Sequence, residues 1–335
     1  LPESKKFNIR SRLKYEKPTL ALTNTSVVID ETSVTGNAEV DILPRPNIRA
    51  QLNSKSLNID HIIALTKYLR EMPPTEKKTG DQPLFSEEPL DLEWLHKADS
   101  NVDLKVERII YKQAEFENLQ TKFIESQGIG ELAIDSIHYS GSNLTASFKV
   151  DINTHTHAYD IHTENFNIGK LFKEINTTDL LTGKVDFNLN IDTTGTTPKQ
   201  LAENSHGGFT AFIIDGSVDN ASIGILTTNL VKELLPGKEP EPRIVIECFF
   251  SYFEGENGVL KSEATLLNTK NIVMTASGNI NLGKDKYDLR LIPKPKNTSF
   301  FTLDSDVLVT GPLNNPEFKI SKGSLLKKVL QGASV

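Results

Sequence analysis

Alternation with a period of two runs through this chain and limits what it can fold into. In NLTASFKVDIN, Leu144, Ala146, Phe148, Val150 and Ile152 fall on one face of an extended strand, and polar residues take the other. KVDFNLNID repeats the habit with Val185, Phe187, Leu189 and Ile191. NIVMTASGNINL sets Ile272, Met274 and Ala276 on one side, and DKYDLRLIP follows with Tyr287, Leu289 and Leu291. Successive side chains on a strand point to opposite faces, so these runs predict antiparallel strands with one apolar and one wet face. Turn chemistry separates them at Thr35-Gly36-Asn37, Ser140-Gly141-Ser142, Thr182-Gly183-Lys184, Asn257-Gly258 and Leu282-Gly283-Lys284. The expectation is a mainly β chain, a meander-rich antiparallel sheet with few helices.

Helical spacing appears where one short phrase recurs. SLNIDHIIAL at 56–65 is echoed by NFNIGKLFKE at 165–174, with Leu57 answering to Phe166, Asn58 to Asn167 and Ile59 to Ile168. Asp60 is expected to cap a helix whose stripe is Ile62, Ile63, Leu65 and Leu69; the echo sets Gly169 at that cap position, ahead of Leu171, Phe172 and Ile175. Further amphipathic segments are read in ASIGILTTNLVKELLP (221–236) and in SLLKKVLQG near the chain's end. The phrase is a strand end, a cap and a short helix placed between groups of strands.

Residues 71–91, EMPPTEKKTGDQPLFSEEPLD, break the alternation with Pro, Lys and Glu, and read as a linker or disordered loop. They divide the 335-residue chain into a first strand group at 1–70 and a longer region at 92–335. Apolar residues make up only 37%, which suits a long thin sheet better than a thick two-layer globule. The net charge of −7 is scattered and provides no clustered basic stripe, so no nucleic-acid partner is expected. No apolar run reaches the roughly eighteen residues of a membrane span, and LPESKK does not open a signal peptide. The chain reads as an excised or processed piece whose anchor would lie outside it.

Catalytic chemistry is not legible. THTHAYDIH sets His155 and His157 two apart on an expected strand, hence on one face, with Asp160 or His162 nearby, but spacing fixes no third ligand, so no metal is assigned. The single cysteine, Cys248, sits in the apolar run IVIECFF and reads as a small hydrophobe. SHGGF precedes a strand and lacks the Lys and Ser of a phosphate loop. Trp94 in DLEWLHKA reads as a core or staple residue. No catalytic residue, cofactor or enzyme activity is expected.

From about residue 91 onward the chain runs through LEWLHKADSNVDLKVERIIYKQAEFENLQTKF, then LTGKVDFNLNIDTTGTTPKQLAENSHGGFTAFIIDGSVDNASIGILTTNLVKEL, IVIECFFSYFEGENGVLKSEATLLNTKNIVMTASGNINLGKDKYDLRLIPKPK and VLVTGPLNNPEFKI. This order of segments resembles the AsmA family of bacterial envelope proteins. The first segment resembles the strand pair that introduces that family's C-terminal region, and the other three resemble its later passages. The first 70 residues resemble an earlier copy of the same strand-and-helix unit. Beside that family's pattern, the N-terminal membrane anchor is expected to lie outside these residues, and the stretch is shorter than a typical member.

The family is similar to TamB-like and bridge-like lipid-transfer proteins, and the resemblance implies a long antiparallel sheet curled into a half-pipe groove with short crossover helices. It implies a periplasmic protein, tethered to the inner membrane in its full-length form, that shields phospholipid or another acyl lipid and supports lipid movement between inner and outer membranes. The groove face would then be Leu144, Phe148, Val150, Ile152, Val185, Phe187, Leu189, Ile191, Ile272, Met274 and Leu289. The alternative is a structural factor for outer-membrane protein biogenesis that meets envelope proteins at its sheet edges. From sequence, an ordinary buried core remains open as the meaning of the apolar alternation.

Overall fold

A computed structural model describes residues 7–70, 83–176, 181–219, 243–296 and 306–321. The helices read at 221–236 and near the chain's end lie outside these residues. The described fold is mainly β, and within each of two compact units the strands form a curved, unclosed sheet accompanied by few short helices. The first unit gathers Leu1–Lys77, Leu90–Phe166 and Glu174–Asn176; the second gathers Lys78–Pro89, Asn167–Lys173 and Thr177–Val335.

The first unit begins with the meander β1 (Phe7–Glu16), β2 (Thr19–Ile29), β3 (Thr32–Asp41) and β4 (Asn47–Asn58), which runs into α1 (Ile59–Arg70). A single 3-10 turn (Glu93–His96) leads to a second meander, β5 (Asp99–Tyr111), β6 (Ala114–Ser126), β7 (Ile129–Tyr139), β8 (Ser142–Asp151) and β9 (Thr156–Phe166). One junction departs from the antiparallel rule: β4 and β5 pair in parallel, from Asn47 opposite Asp99 to Asn58 opposite Ile110. Parallel neighbours need a crossover connection, and α1 with the segment after it supplies that crossover.

Register carries one apolar row through all nine strands. Leu13, Leu22, Ala38, Ala50, Val102, Phe123, Leu132, Phe148 and Tyr159 stand opposite one another in turn from β1 to β9. Paired residues share a face, so a single sheet face is apolar across the unit.

The second unit holds α2 (Ile168–Asn176, whose last three residues group with the first unit), β10 (Leu181–Thr194), α3 (Pro198–Glu203), β11 (His206–Asp219), β12 (Arg243–Glu256), β13 (Val259–Thr269), β14 (Ile272–Asn281), β15 (Lys286–Pro295), β16 (Val307–Thr310) and β17 (Glu317–Ile320). Its strands from β10 to β17 pair antiparallel in chain order. One face again carries a continuous row: Val185, Ile213, Phe249, Leu267, Met274 and Pro293.

Three of the expected turns are turns: Ser140-Gly141, Asn257-Gly258 and Leu282 to Lys284. Gly36 and Gly183 instead lie inside β3 and β10. The β10–β11 register shifts between Thr182 and Lys184, so Gly183 marks a bulge rather than a chain reversal.

The recurring phrase also needs a correction. Its cap is the asparagine, not Asp60 or Gly169. The Asn58 side chain accepts from the His61 amide at 3.2 Å, and Asn167 accepts from the Lys170 amide at 3.0 Å. An asparagine oxygen three residues before a free amide is an N-cap geometry, and it places both helix starts one residue after the asparagine. Asp60 serves the neighbouring turn instead, accepting the Lys112 amide at 2.7 Å. Gly169 is required by contact, since a Cβ there would stand 2.5 Å from the Leu181 carbonyl oxygen.

Candidate functional site

In the first unit the apolar face is bounded at both strand ends. At one end Phe116, Tyr139 and Phe166 cluster, with ring centroids 5.0 and 5.4 Å apart. Tyr139 is 1% exposed and donates from its hydroxyl to Glu174 Oε2 at 2.7 Å, so the last turn of α2 is fastened over this cluster. Burial, with the Glu174 carboxylate beside it, pushes the Tyr139 phenol well above its ordinary range. Lys112 Nζ adds a hydrogen bond to the Ile175 carbonyl at 2.5 Å, at the carboxyl end of α2 where a cation is favoured.

At the other end a strap, residues 90–96, lies on the face. Leu95 is 1% exposed and sits over Gly130, where an added Cβ would come within 3.0 Å of Leu95 Cδ2. Trp94 leans on Phe123 with centroids 5.9 Å apart and remains 48% exposed. Arg45, in the loop between β3 and β4, holds the strap. It donates to the His96 carbonyl at 2.7 Å and the Leu95 carbonyl at 3.3 Å, and pairs with Asp99 at 2.7 Å and Glu125 at 2.8 Å. Hydrogen bonds from the Gln127 amide, then from Arg45, hold the Asp99 carboxyl below the usual carboxylate range. Glu125 is fully buried; its Oε1 also accepts the Gly128 amide at 3.0 Å.

Between strap and sheet is an apolar cavity of about 220 Å³, walled by Leu92, Trp94, Phe123, Leu132, Phe148, Val150 and Tyr159 among others. Two of the sequence-predicted residues, Phe148 and Val150, therefore meet in one cavity. Leu144 lies farther along the same face of β8, opposite Thr163. Ile152 lies past the end of β8, in the turn, where its amide bonds the Gly128 carbonyl at 3.0 Å.

In the second unit Val185, Phe187, Leu189 and Ile191 share one face of β10, and Ile272, Met274 and Leu289 occupy the same sheet face on β14 and β15. Aromatic rings link the neighbouring strands, with Phe187 to Phe209 at 6.3 Å and Phe209 to Phe253 at 5.2 Å. All eleven predicted positions are half-buried: none is a closed core side chain and none is fully exposed.

Several wall residues escaped the alternation: Phe209, Phe249 and Phe253 in the second unit, and Phe123, Leu132 and Tyr159 in the first. FTAFIID and IVIECFF are continuous apolar runs, in which Phe212 and Phe250 stand opposite one another on the reverse face. A run apolar on both faces has no period, so its length alone signals a strand. Cys248 belongs to that reverse face, opposite Ile214, and is half-buried.

His155 and His157 do not share a strand face. His155 has φ 56° in the turn before β9, while His157 is 7% exposed and stacks with Tyr159 at 6.1 Å. His162 stands one register step off, on the other face, 3.8 Å from Glu164. Among the described residues no group of three His, Cys, Asp or Glu is placed to hold a metal, and no helix is long and apolar enough to cross a membrane.

A family model described as the AsmA family matches residues 3–283. The AsmA family protein YhjG of Escherichia coli (strain K12) is 20% identical over 169 residues, which cover 50% of this chain and 25% of that protein. The matched stretch thus spans about a quarter of that curated relative's length. No solved structure matches.

Proposed function

The chain belongs to the AsmA family, and from that premise we propose that it shields phospholipid acyl chains on the apolar faces of its sheets. In this reading it supports lipid movement between the inner and outer membranes of a bacterial envelope, in the periplasm, tethered to the inner membrane in the full-length protein. It does so without catalysis. A phospholipid crossing water exposes some thirty methylenes at about 0.8 kcal/mol each, roughly 25 kcal/mol in all. A sheet face apolar across many strands removes most of that cost while head groups stay in water.

The observation that carries this reading is the half-burial of the eleven face residues. A closed core would bury them fully, and an ordinary wet surface would not be apolar strand after strand. The test is mass spectrometry of organic extracts from the purified protein, which should find phospholipid; its absence counts against the reading.

A second reading, an assembly factor that meets envelope proteins at a sheet edge, is favoured by β1. That strand pairs with β2, and all ten of its residues are exposed, with Phe7, Ile9, Leu13 and Tyr15 each more than half so. Among the described residues its ladder partner is β2, and a long exposed strand of this kind is a template for a further strand. Capture of a strand-forming client through β1 by a lipid-free protein would favour it.

A further inference from the structure

We propose that the cavity beneath the 90–96 strap is a site for one hydrocarbon chain, in which Trp94 closes over the end of a single acyl tail. The proposal rests on the lipid reading above and adds to it a definite subsite. Three observations define it.

The first is chemistry. Leu92, Trp94, Phe123, Phe148 and Val150 present hydrocarbon and aromatic surface to the cavity. Its two inward polar side chains, His157 and Tyr159, are bonded to each other, with Tyr159 Oη 3.2 Å from His157 Nδ1. Lys149 borders the cavity too, but as an exposed residue one register step from Phe148, on the other face. The wall suits an alkyl chain better than a polar ligand.

The second is size. At about 220 Å³ the cavity is somewhat larger than an engineered apolar cavity of roughly 150 Å³ that admits benzene. It takes a stretch of one chain and not two side by side.

The third is construction. The strap is not loosely laid on the sheet: Leu95 is seated over Gly130 and Arg45 bonds two strap carbonyls. Trp94 beside this anchored point is still 48% exposed, and Leu90 38%. Apolar surface held at the mouth of an apolar cavity is covered when a chain enters. The cavity floor is also part of the nine-strand row through Phe123, Leu132, Phe148 and Tyr159, so a tail on that face runs directly into it.

Trp94 is the chain's single tryptophan, so its fluorescence reports on this site without labelling. The probe is dodecanoic acid brominated at its terminal carbon, titrated into the protein, with native mass spectrometry counting bound probe in parallel. The expected result is saturable quenching of Trp94 with a shift of emission to shorter wavelength. Val150→Phe fills part of the cavity and should weaken quenching about tenfold, the loss expected when roughly two methylenes no longer fit. Asn188→Phe, exposed on the other face of β10, should leave quenching unchanged. Should Val150→Phe fail to fold, Leu132→Phe serves in its place, and the wild-type titration stands without either. Bound probe without quenching overturns the cavity site and leaves the lipid reading intact; no bound probe at all overturns both. Quenching that Val150→Phe and Asn188→Phe weaken equally also overturns the cavity site.

Discussion

The hydroxyl of Tyr139 donates to Glu174 Oε2 at 2.7 Å, joining a buried strand residue of β7 to the last turn of α2. Tyr139 also packs between Phe116 and Phe166, so one side chain serves both the aromatic cluster and the helix end. Tyr139→Phe keeps the packing and should cost about 1–2 kcal/mol, because it removes the hydrogen bond from the phenol to the Glu174 carboxylate. Tyr139→Ala removes both and should cost about 3–5 kcal/mol. Denaturant unfolding monitored by circular dichroism checks the pair; equal losses for the two variants would refute the division of roles.

The asparagine caps predict a pattern within each copy of the recurring phrase. Asn58→Ala and Asn167→Ala should each lose about 1 kcal/mol of stability, while Asn58→Asp and Asn167→Asp should be close to neutral. Gly169→Ala should be worse than either alanine cap variant, because its methyl would meet the Leu181 carbonyl. Thermal melts of the five variants decide this, and a harmless Gly169→Ala would show that the helix start can shift.

The Arg45 clamp predicts an acid-sensitive strap. Asp99 has a folded-state pKa below its reference value of 3.8, so its contribution is present above about that pH and is lost as pH falls through the folded value. Trp94 emission should therefore change as the solution is acidified below about pH 4. Asp99→Asn should weaken that change and loosen the strap at neutral pH. Arg45→Met leaves the buried Glu125 carboxylate without its cation and should cost about 3 kcal/mol or more. An Asp99→Asn protein with the same acid transition as wild type would count against the clamp.

Much of this architecture was legible because period two is a local signal: β8, β10, β14 and β15 can be read from their own residues. The crossover helix starts were nearly so, but Asp60 beside Asn58 drew the cap two residues late, since both side chains can accept from a helical amide. The parallel β4–β5 junction was not legible. It depends on where the chain returns after α1, and no residue in Asn47–Asn58 records that. Nor was the strap, for DLEWLHKA has no period, and the residue that fixes it, Arg45, stands 50 positions before Leu95. Face residues could be named wherever alternation held; in FTAFIID and IVIECFF both faces are apolar, so the inner one could not be told from the outer.

If the apolar faces hold lipid, the bound phospholipid per protein should respond to a charge placed on them, as in Leu189→Glu. Leu189 lies mid-strand in β10, half-buried, opposite Phe209. A charge there should repel acyl chains, yet a face open to water can hydrate it, whereas a closed core would lose several kcal/mol. Asn188→Glu, one residue along and on the other face, is the control. Phe148→Glu is the less clean partner, because it also faces the strap cavity. The Leu189→Glu protein should melt near the wild-type temperature and carry clearly less phospholipid, with Asn188→Glu unchanged in both. A folded Leu189→Glu protein with a normal lipid load would contradict it.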